Sequence, residues 1–301
     1  MNRARNYRYK LVDVFTKVPF QGNQLAVFPD AVGLDDVTMQ NIAAELKLTE
    51  TTFVFPASLA DCVADVRIFT PFKEMIFAGH PTIGTAYVLL DEGRIATSIS
   101  DFKLQEKVGR VPVRVARENG DLIWLQTPAI RWGKNYDPAL CAAVLGLNES
   151  DLQGCAPQWL SAGNPTLFIP LHSPDMVDRA WFGADGMRQL READSEQEPF
   201  CVFVFAPTTD GAYSRMFAPE YGIAEDPATG SSTGPLAAYM MKHQLALARD
   251  GTRWVSEQGV KMSRRSRLHV QIRGPSGSVG IDVGGYVTPI GEGQMNIRAQ
   301  A

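Results

Sequence analysis

Apolar positions along this chain fall mostly into short runs of five or six residues, which is strand spacing rather than helix spacing. In the first half, Lys10 to Phe15, Leu25 to Phe28, Thr51 to Phe55, Asp65 to Phe69, Val111 to Ala116 and Leu122 to Gln126 read as strands. In the second half, Cys201 to Phe205, Tyr213 to Phe217, Trp254 to Val255, Leu268 to Ile272 and Val279 to Val283 repeat the pattern. Helical spacing is rarer. Met39, Ile42, Ala43 and Leu46 share one helical face behind a cap at Asp35 or Asp36. Ala86 to Leu90 is apolar on every face, which predicts a helix buried all round, and Leu236 to Leu247 predicts a second one.

The pattern divides in two. Thr127 to Asp137, with Pro128, Gly133 and Pro138 close by, is the expected linker between a domain over 1–128 and a domain over 134–301, the last residues being free to return to the first. Pro19-Phe20-Gln21-Gly22-Asn23 is a turn, and Glu50 falls where a helix-to-strand connection ends. Asp185 to Glu198 is charged and reads as an aperiodic surface excursion.

Two stretches share an unusual phrase. Phe69-Thr70-Pro71 leads to His80-Pro81-Thr82-Ile83-Gly84, and Phe217-Ala218-Pro219 leads to Asp226-Pro227-Ala228-Thr229-Gly230. In each, an ionisable residue precedes a proline and a glycine follows four residues after it. Proline suits a first helical turn because its missing N–H needs no partner there. Each phrase therefore predicts a helix start, near Pro81 and near residue 228, with Pro235 delaying or kinking the second. Helix starts attract carboxylates, so the duplication predicts two similar domains whose helix mouths face one cleft, His80 on one wall and Asp226 on the other.

Composition narrows the class. The 301 residues are 45% hydrophobic and 21% charged with a net charge of −4, a globular balance that offers no electrostatic reason for a nucleic-acid or anionic-membrane partner. The basic start is followed by no apolar segment of signal or membrane length, so the expected compartment is cytoplasmic. Cys62, Cys141, Cys155 and Cys201 are scattered and read as free thiols. His172, His243 and His269 stand alone without ligand spacing, which argues against a metal. Thr229 to Gly234 is no phosphate loop, lacking the lysine, and Lys261 to Arg267 reads as a solvated strand edge.

Four ordered motifs carry a resemblance over essentially the whole chain. They are Asp13-Val14-Phe15 with Pro19 to Asn23, Leu48-Thr49-Glu50 running on to Val54, Phe69-Thr70-Pro71 with Phe77-Ala78-Gly79-His80-Pro81, and Glu225-Asp226-Pro227-Ala228-Thr229-Gly230-Ser231. With these the chain resembles the phenazine-biosynthesis-like isomerase family, named for the enzyme acting on trans-2,3-dihydro-3-hydroxyanthranilate. The resemblance implies an α+β fold like diaminopimelate epimerase: two pseudo-symmetric domains, each a mostly antiparallel curled sheet around a central helix, commonly as a homodimer. It implies Glu50 as the proton-transfer residue, with His80, Asp226 and Ser231 as further site residues. Epimerases of that fold place a cysteine at each helix mouth, where this chain has His80 and Asp226.

The chemistry expected is general acid–base proton transfer without a cofactor on a small carboxylated metabolite. A carboxyl that both gives and takes a proton must be protonated part of the time near neutrality, and burial of Glu50 beside Phe53 and Phe77 serves that end. His80 and Asp226 are expected to hydrogen-bond each other and hold the substrate, while N–H groups at Gly79 and His80, and at Gly230 and Ser231, take its carboxylate; Asn23 lines the site. The alternatives are an epimerase or racemase working without the thiol pair, and a non-catalytic metabolite-binding protein.

Overall fold

Proline and glycine set the boundaries of the elements, and apolar alternation sets their faces. The computed structural model describes residues 5–117, 120–193, 198–246, 249–274 and 280–297. Residues 194–197 of the charged segment, Leu247 and Val279 lie outside these. The chain divides into two compact units, one built from the chain up to Leu125 together with Gly284 onward, the other from Gln126 to Val283.

In the first unit, strand Arg5–Val14 pairs antiparallel with both Asn23–Phe28 and the returning strand Val287–Ile297. Helix Asp36–Leu46 then crosses over to Glu50–Phe55, which runs parallel to Asn23–Phe28. The Asp35 side chain caps that helix by accepting from Thr38 N–H, and Lys47 closes it in a left-handed conformation. Strand Ala64–Phe69 follows antiparallel, helix Gly79–Asp91 crosses to the parallel strand Asp101–Glu106, and Gly109–Ala116 and Leu122–Gln126 complete an antiparallel meander.

The crossover helix Gly79–Asp91 is buried along nearly its whole length, as its all-round apolar sequence requires. It lies so close to the strands beneath that a Cβ at Gly84 would come within 2.5 Å of a Leu25 methyl and 2.9 Å of a Val14 methyl. Any larger residue there would force those side chains to move. Phe28, Phe53 and Phe69 form an aromatic core with Met39 and Ile42 of helix Asp36–Leu46.

The second unit repeats the order of pairings. Gln158–Ser161 and Thr166–Pro170 are antiparallel, helices Pro174–Arg179 and Ala184–Glu192 cross to the parallel strand Cys201–Thr208, and Gly211–Ala218 returns antiparallel. Helix Gly230–Lys242 then crosses to the parallel strand Arg253–Gln258, followed by antiparallel Ser266–Arg273. Both units are thus sheet-dominated α+β, mostly antiparallel, with parallel pairs only where a helix crosses over.

Several expectations from spacing change here. The segment from Thr127 to Asp137 is not free chain, because Arg131–Asn135 is a strand paired with Gln158–Ser161. The charged stretch after Asp185 is not an excursion: Ala184–Glu192 is a helix that buries Gly186, Met187 and Leu190 while its charged residues face outward. Three buried positions among many charges gave too short an apolar stripe to register as helical. The second buried helix begins at Gly230, close to the start expected near residue 228 and six residues ahead of its apolar run, and it holds Pro235 inside it.

Candidate active site

Three strand and helix beginnings of the first unit supply one cluster of polar side chains. Asn23 opens strand Asn23–Phe28, Glu50 opens strand Glu50–Phe55 in register with Leu25, and His80 is the second residue of helix Gly79–Asp91, whose first is Gly79. Pro81, third in that helix, lacks an N–H at a position where no intrahelical partner exists for one. Asn23 and His80 are buried, with 1% and 5% of their surface exposed.

A chain of contacts joins them. The Thr49 hydroxyl donates to Asn23 Oδ1 at 2.9 Å, which turns the Asn23 amide nitrogen toward His80 Nδ1 at 3.4 Å. On the other side of the imidazole, His80 Nε2 lies 3.3 Å from Glu50 Oε2. This is a close approach rather than an aligned hydrogen bond. Burial pushes the imidazole down to about 3, against the opposing effect of a hydrogen bond with the Gln24 backbone. His80 is therefore neutral near pH 7, and its contact with Glu50 is not an ion pair.

The expected hydrophobic neighbour of Glu50 is elsewhere. Phe53 is three residues along the same strand, so it projects from the opposite face, into the aromatic core with Phe28 and Phe69.

A fully buried acid sits under the same helix start. Phe102, Leu104 and Glu106 alternate onto the inner face of strand Asp101–Glu106, placing a carboxyl where the pattern calls for an apolar side chain. The Thr82 hydroxyl lies 2.7 Å from the Ala78 carbonyl and 2.6 Å from Glu106 Oε1. One hydroxyl has one proton, so it cannot donate to both; the second proton belongs to the Glu106 carboxyl. Burial, only partly countered by the Thr82 contact, pushes that carboxyl up to about 8, in agreement.

In the second unit, Asp226 ends strand Ile223–Asp226 and is 8% exposed. Its Oδ2 accepts from the Thr229 hydroxyl, and Thr229 in turn contacts the buried Gln258. Gly230 and Ser231 are the first two residues of helix Gly230–Lys242. Ser231 Oγ accepts from Asn164 Nδ2 at 3.4 Å, and Asn164 Oδ1 lies 3.8 Å from the Cys201 thiol. Cys201 is therefore near this motif in space though far from it in sequence. Burial first, and then the charge of Asp226, push its thiol well above the ordinary range. It stays neutral and is no nucleophile.

The motifs and the resemblance they carry anticipated Asn23, Glu50 and His80, and the structure clusters them; Asp226 and Ser231 lie in the other unit, each with its own partners. Thr49, Glu106, Asn164, Thr229 and Gln258 were not anticipated. Thr49 and Thr229 stand inside the quoted motifs, and Glu106 leaves a signal of its own, a charge in phase with apolar positions.

The chain matches the phenazine biosynthesis-like protein family over residues 12–292. It is 32% identical over 297 residues to trans-2,3-dihydro-3-hydroxyanthranilate isomerase of Pseudomonas aeruginosa, covering 96% of this chain and 99% of that one. Among solved structures, a Bacillus anthracis phenazine biosynthesis protein superposes with a TM-score of 0.87 at 26% identity, covering 97% of this chain and all of the other. A hydroxyproline epimerase from Agrobacterium vitis, 12% identical, shares the fold alone, with a TM-score of 0.67 over 99% of this chain and 94% of its own.

Proposed function

The chain belongs to the phenazine biosynthesis-like protein family and is an isomerase, and we propose that it moves a proton between two carbons of a small carboxylated metabolite through Glu50. One observation carries the reading: the Glu50 carboxyl approaches within 3.3 Å of an imidazole that burial keeps neutral. An imidazole so disfavoured as a cation cannot keep a second proton, so a proton delivered to this pair resides on Glu50. A carboxyl that holds a proton beside a neutral polar partner can return it to a second carbon of the same substrate. General acid–base transfer of this kind contributes about 10² to 10⁴-fold in rate. In this reading Asn23 and His80 fix the orientation of the pair, and Asp226 holds a polar group of the substrate. The N–H groups of Gly79 and Gly230, with Ser231, take its carboxylate.

The substrate class follows the relative's name, and trans-2,3-dihydro-3-hydroxyanthranilate is the first compound to assay. No helix among the described residues is long and apolar enough to cross a membrane. With that and the net charge of −4, we propose a cytoplasmic enzyme, working as a homodimer on a free small molecule rather than on nucleic acid.

Turnover in D₂O is expected to place one solvent-derived deuterium at the carbon that gains the proton. Glu50→Gln keeps the shape of the side chain but removes its exchangeable carboxyl proton, and is expected to lower kcat at least about 10²-fold with KM within about tenfold. A folded Glu50→Gln variant of full activity refutes the assignment.

A further inference from the structure

The motif that carries Asp226 is braced from a distant strand. Strand Arg253–Gln258 ends at Gln258, whose side chain is fully buried and engaged at both ends of its amide. Oε1 accepts from the backbone N–H of Thr229 at 3.1 Å, while Nε2 donates to the Asp226 carbonyl at 2.7 Å and to Thr229 Oγ1 at 3.0 Å. A backbone N–H can only donate and a carbonyl can only accept, so the chemistry allows one orientation of this amide. Thr229 Oγ1 therefore receives a proton from Gln258, and its own proton must go to Asp226 Oδ2.

The brace depends on close approach of two backbones. Gly259, next after Gln258, has φ +75°, and a Cβ there would lie 2.6 Å from the Pro227 carbonyl oxygen and 2.5 Å from that of Arg264. Only glycine brings the end of this strand against the Asp226-Pro227 loop.

We propose that Gln258 and Thr229 are positioning residues for the isomerase reaction, a one-way donor chain that holds the Asp226 carboxyl as an oriented hydrogen-bond acceptor. The proposal rests on the reading that Asp226 serves the substrate. A hydroxyl that can only donate toward Asp226 favours the ionised carboxyl and fixes its rotamer, which is what a group holding a substrate's N–H or O–H needs. The neighbouring ionisable groups do not compete for this role. Glu225 is taken up by Arg215 in a two-pronged contact of 3.0 and 2.9 Å, and the Cys201 thiol stays neutral.

Two measurements test it on the full-length enzyme. With trans-2,3-dihydro-3-hydroxyanthranilate, Thr229→Val is expected to lower kcat about tenfold or more with KM within about threefold, while Thr229→Ser, which restores the hydroxyl, returns most of the activity. In the ligand-free protein, a ¹³C titration of the Asp226 carboxyl is expected to shift upward by about one pH unit in Thr229→Val and to stay in place in Thr229→Ser. Gln258→Glu is expected to act as Thr229→Val does, because the introduced carboxylate draws the hydroxyl proton away from Asp226. It decides the matter if Thr229→Val does not fold. Wild-type kcat and titration midpoint in a folded Thr229→Val or Gln258→Glu variant overturn the proposal. If the compound is not turned over, the titration alone decides. Full activity of Asp226→Asn sinks the role of Asp226 itself and is read separately from the brace.

Discussion

The two units share an order of strands and differ in what they place at corresponding points of it. In the first, the strand entered after the first crossover begins with Glu50, in register with Leu25; in the second, the corresponding strand begins with Cys201, in register with Thr166. An asparagine stands near each: Asn23 faces His80, and Asn164 faces Ser231. The repeated scaffold thus presents a carboxyl beside a neutral imidazole in one unit and an inert buried thiol in the other. Topology positions a side chain, and residue identity alone decides whether that position does chemistry.

The two proline phrases diverge as well. His80 lies inside the first helical turn, whereas Asp226 ends a strand four residues before its helix. The cause is visible in the prolines. Pro81 occupies a helical position that needs no N–H, while Pro227 lies outside the helix and Pro235 within it removes the donor that the Ser231 carbonyl would accept.

The largest expected effect sharpens the contrast through pH. Burial raises Glu106 from its ordinary 4.5 to about 8 and lowers His80 from 6.5 to about 3. Between pH 4.5 and 8 the unfolded chain has released a proton that folded Glu106 retains, so stability falls as pH rises, by up to about 5 kcal/mol. Between pH 6.5 and 3 the unfolded chain binds a proton that folded His80 refuses, so stability falls as pH falls, by a similar amount. Denaturant unfolding across pH is expected to lose its alkaline slope in Glu106→Gln and much of its acid slope in His80→Gln. Cys201→Ala should leave both slopes in place. An unchanged alkaline slope in Glu106→Gln breaks the assignment of a protonated carboxyl under the first helix.

Next in size is the kinetic contrast between the paired strand starts. Glu50→Gln is expected to cost at least about 2.7 kcal/mol of transition-state stabilisation, and Cys201→Ala less than about 0.7 kcal/mol, read as kcat/KM on one substrate. A comparable loss in a folded Cys201→Ala variant makes the thiol a participant and breaks the contrast between the two strand starts.

The smallest effect concerns packing. Gly84→Ala forces a methyl onto the Leu25 and Val14 side chains and is expected to cost about 2 kcal/mol in unfolding free energy. Gly93→Ala, at a left-handed position with open space around it, is expected to cost about 1 kcal/mol. If the two cost the same, the helix Gly79–Asp91 is not tightly seated on its strands.

Much of this was legible in the residues in order. Apolar alternation marks the strands, the all-round apolar run after His80 marks the buried helix, and the motifs around Glu50, His80 and Asp226 carry the family resemblance. Such features are local, since backbone propensity, proline geometry and the two- and 3.6-residue periodicities act within a few positions of each other. The structure alone revealed the partners: Thr49 and Asn23 on the imidazole, Gln258 under Thr229, Cys201 near Asp226, and the hydrogen bond between Glu106 and Thr82. Each joins side chains on different elements, and neither pairing nor burial is written in spacing. Protonation states followed the same division: side-chain type sets the ordinary value, and the removal of water by tertiary packing moved Glu106 and His80 in opposite directions, because a low-dielectric surrounding disfavours whichever form carries the charge.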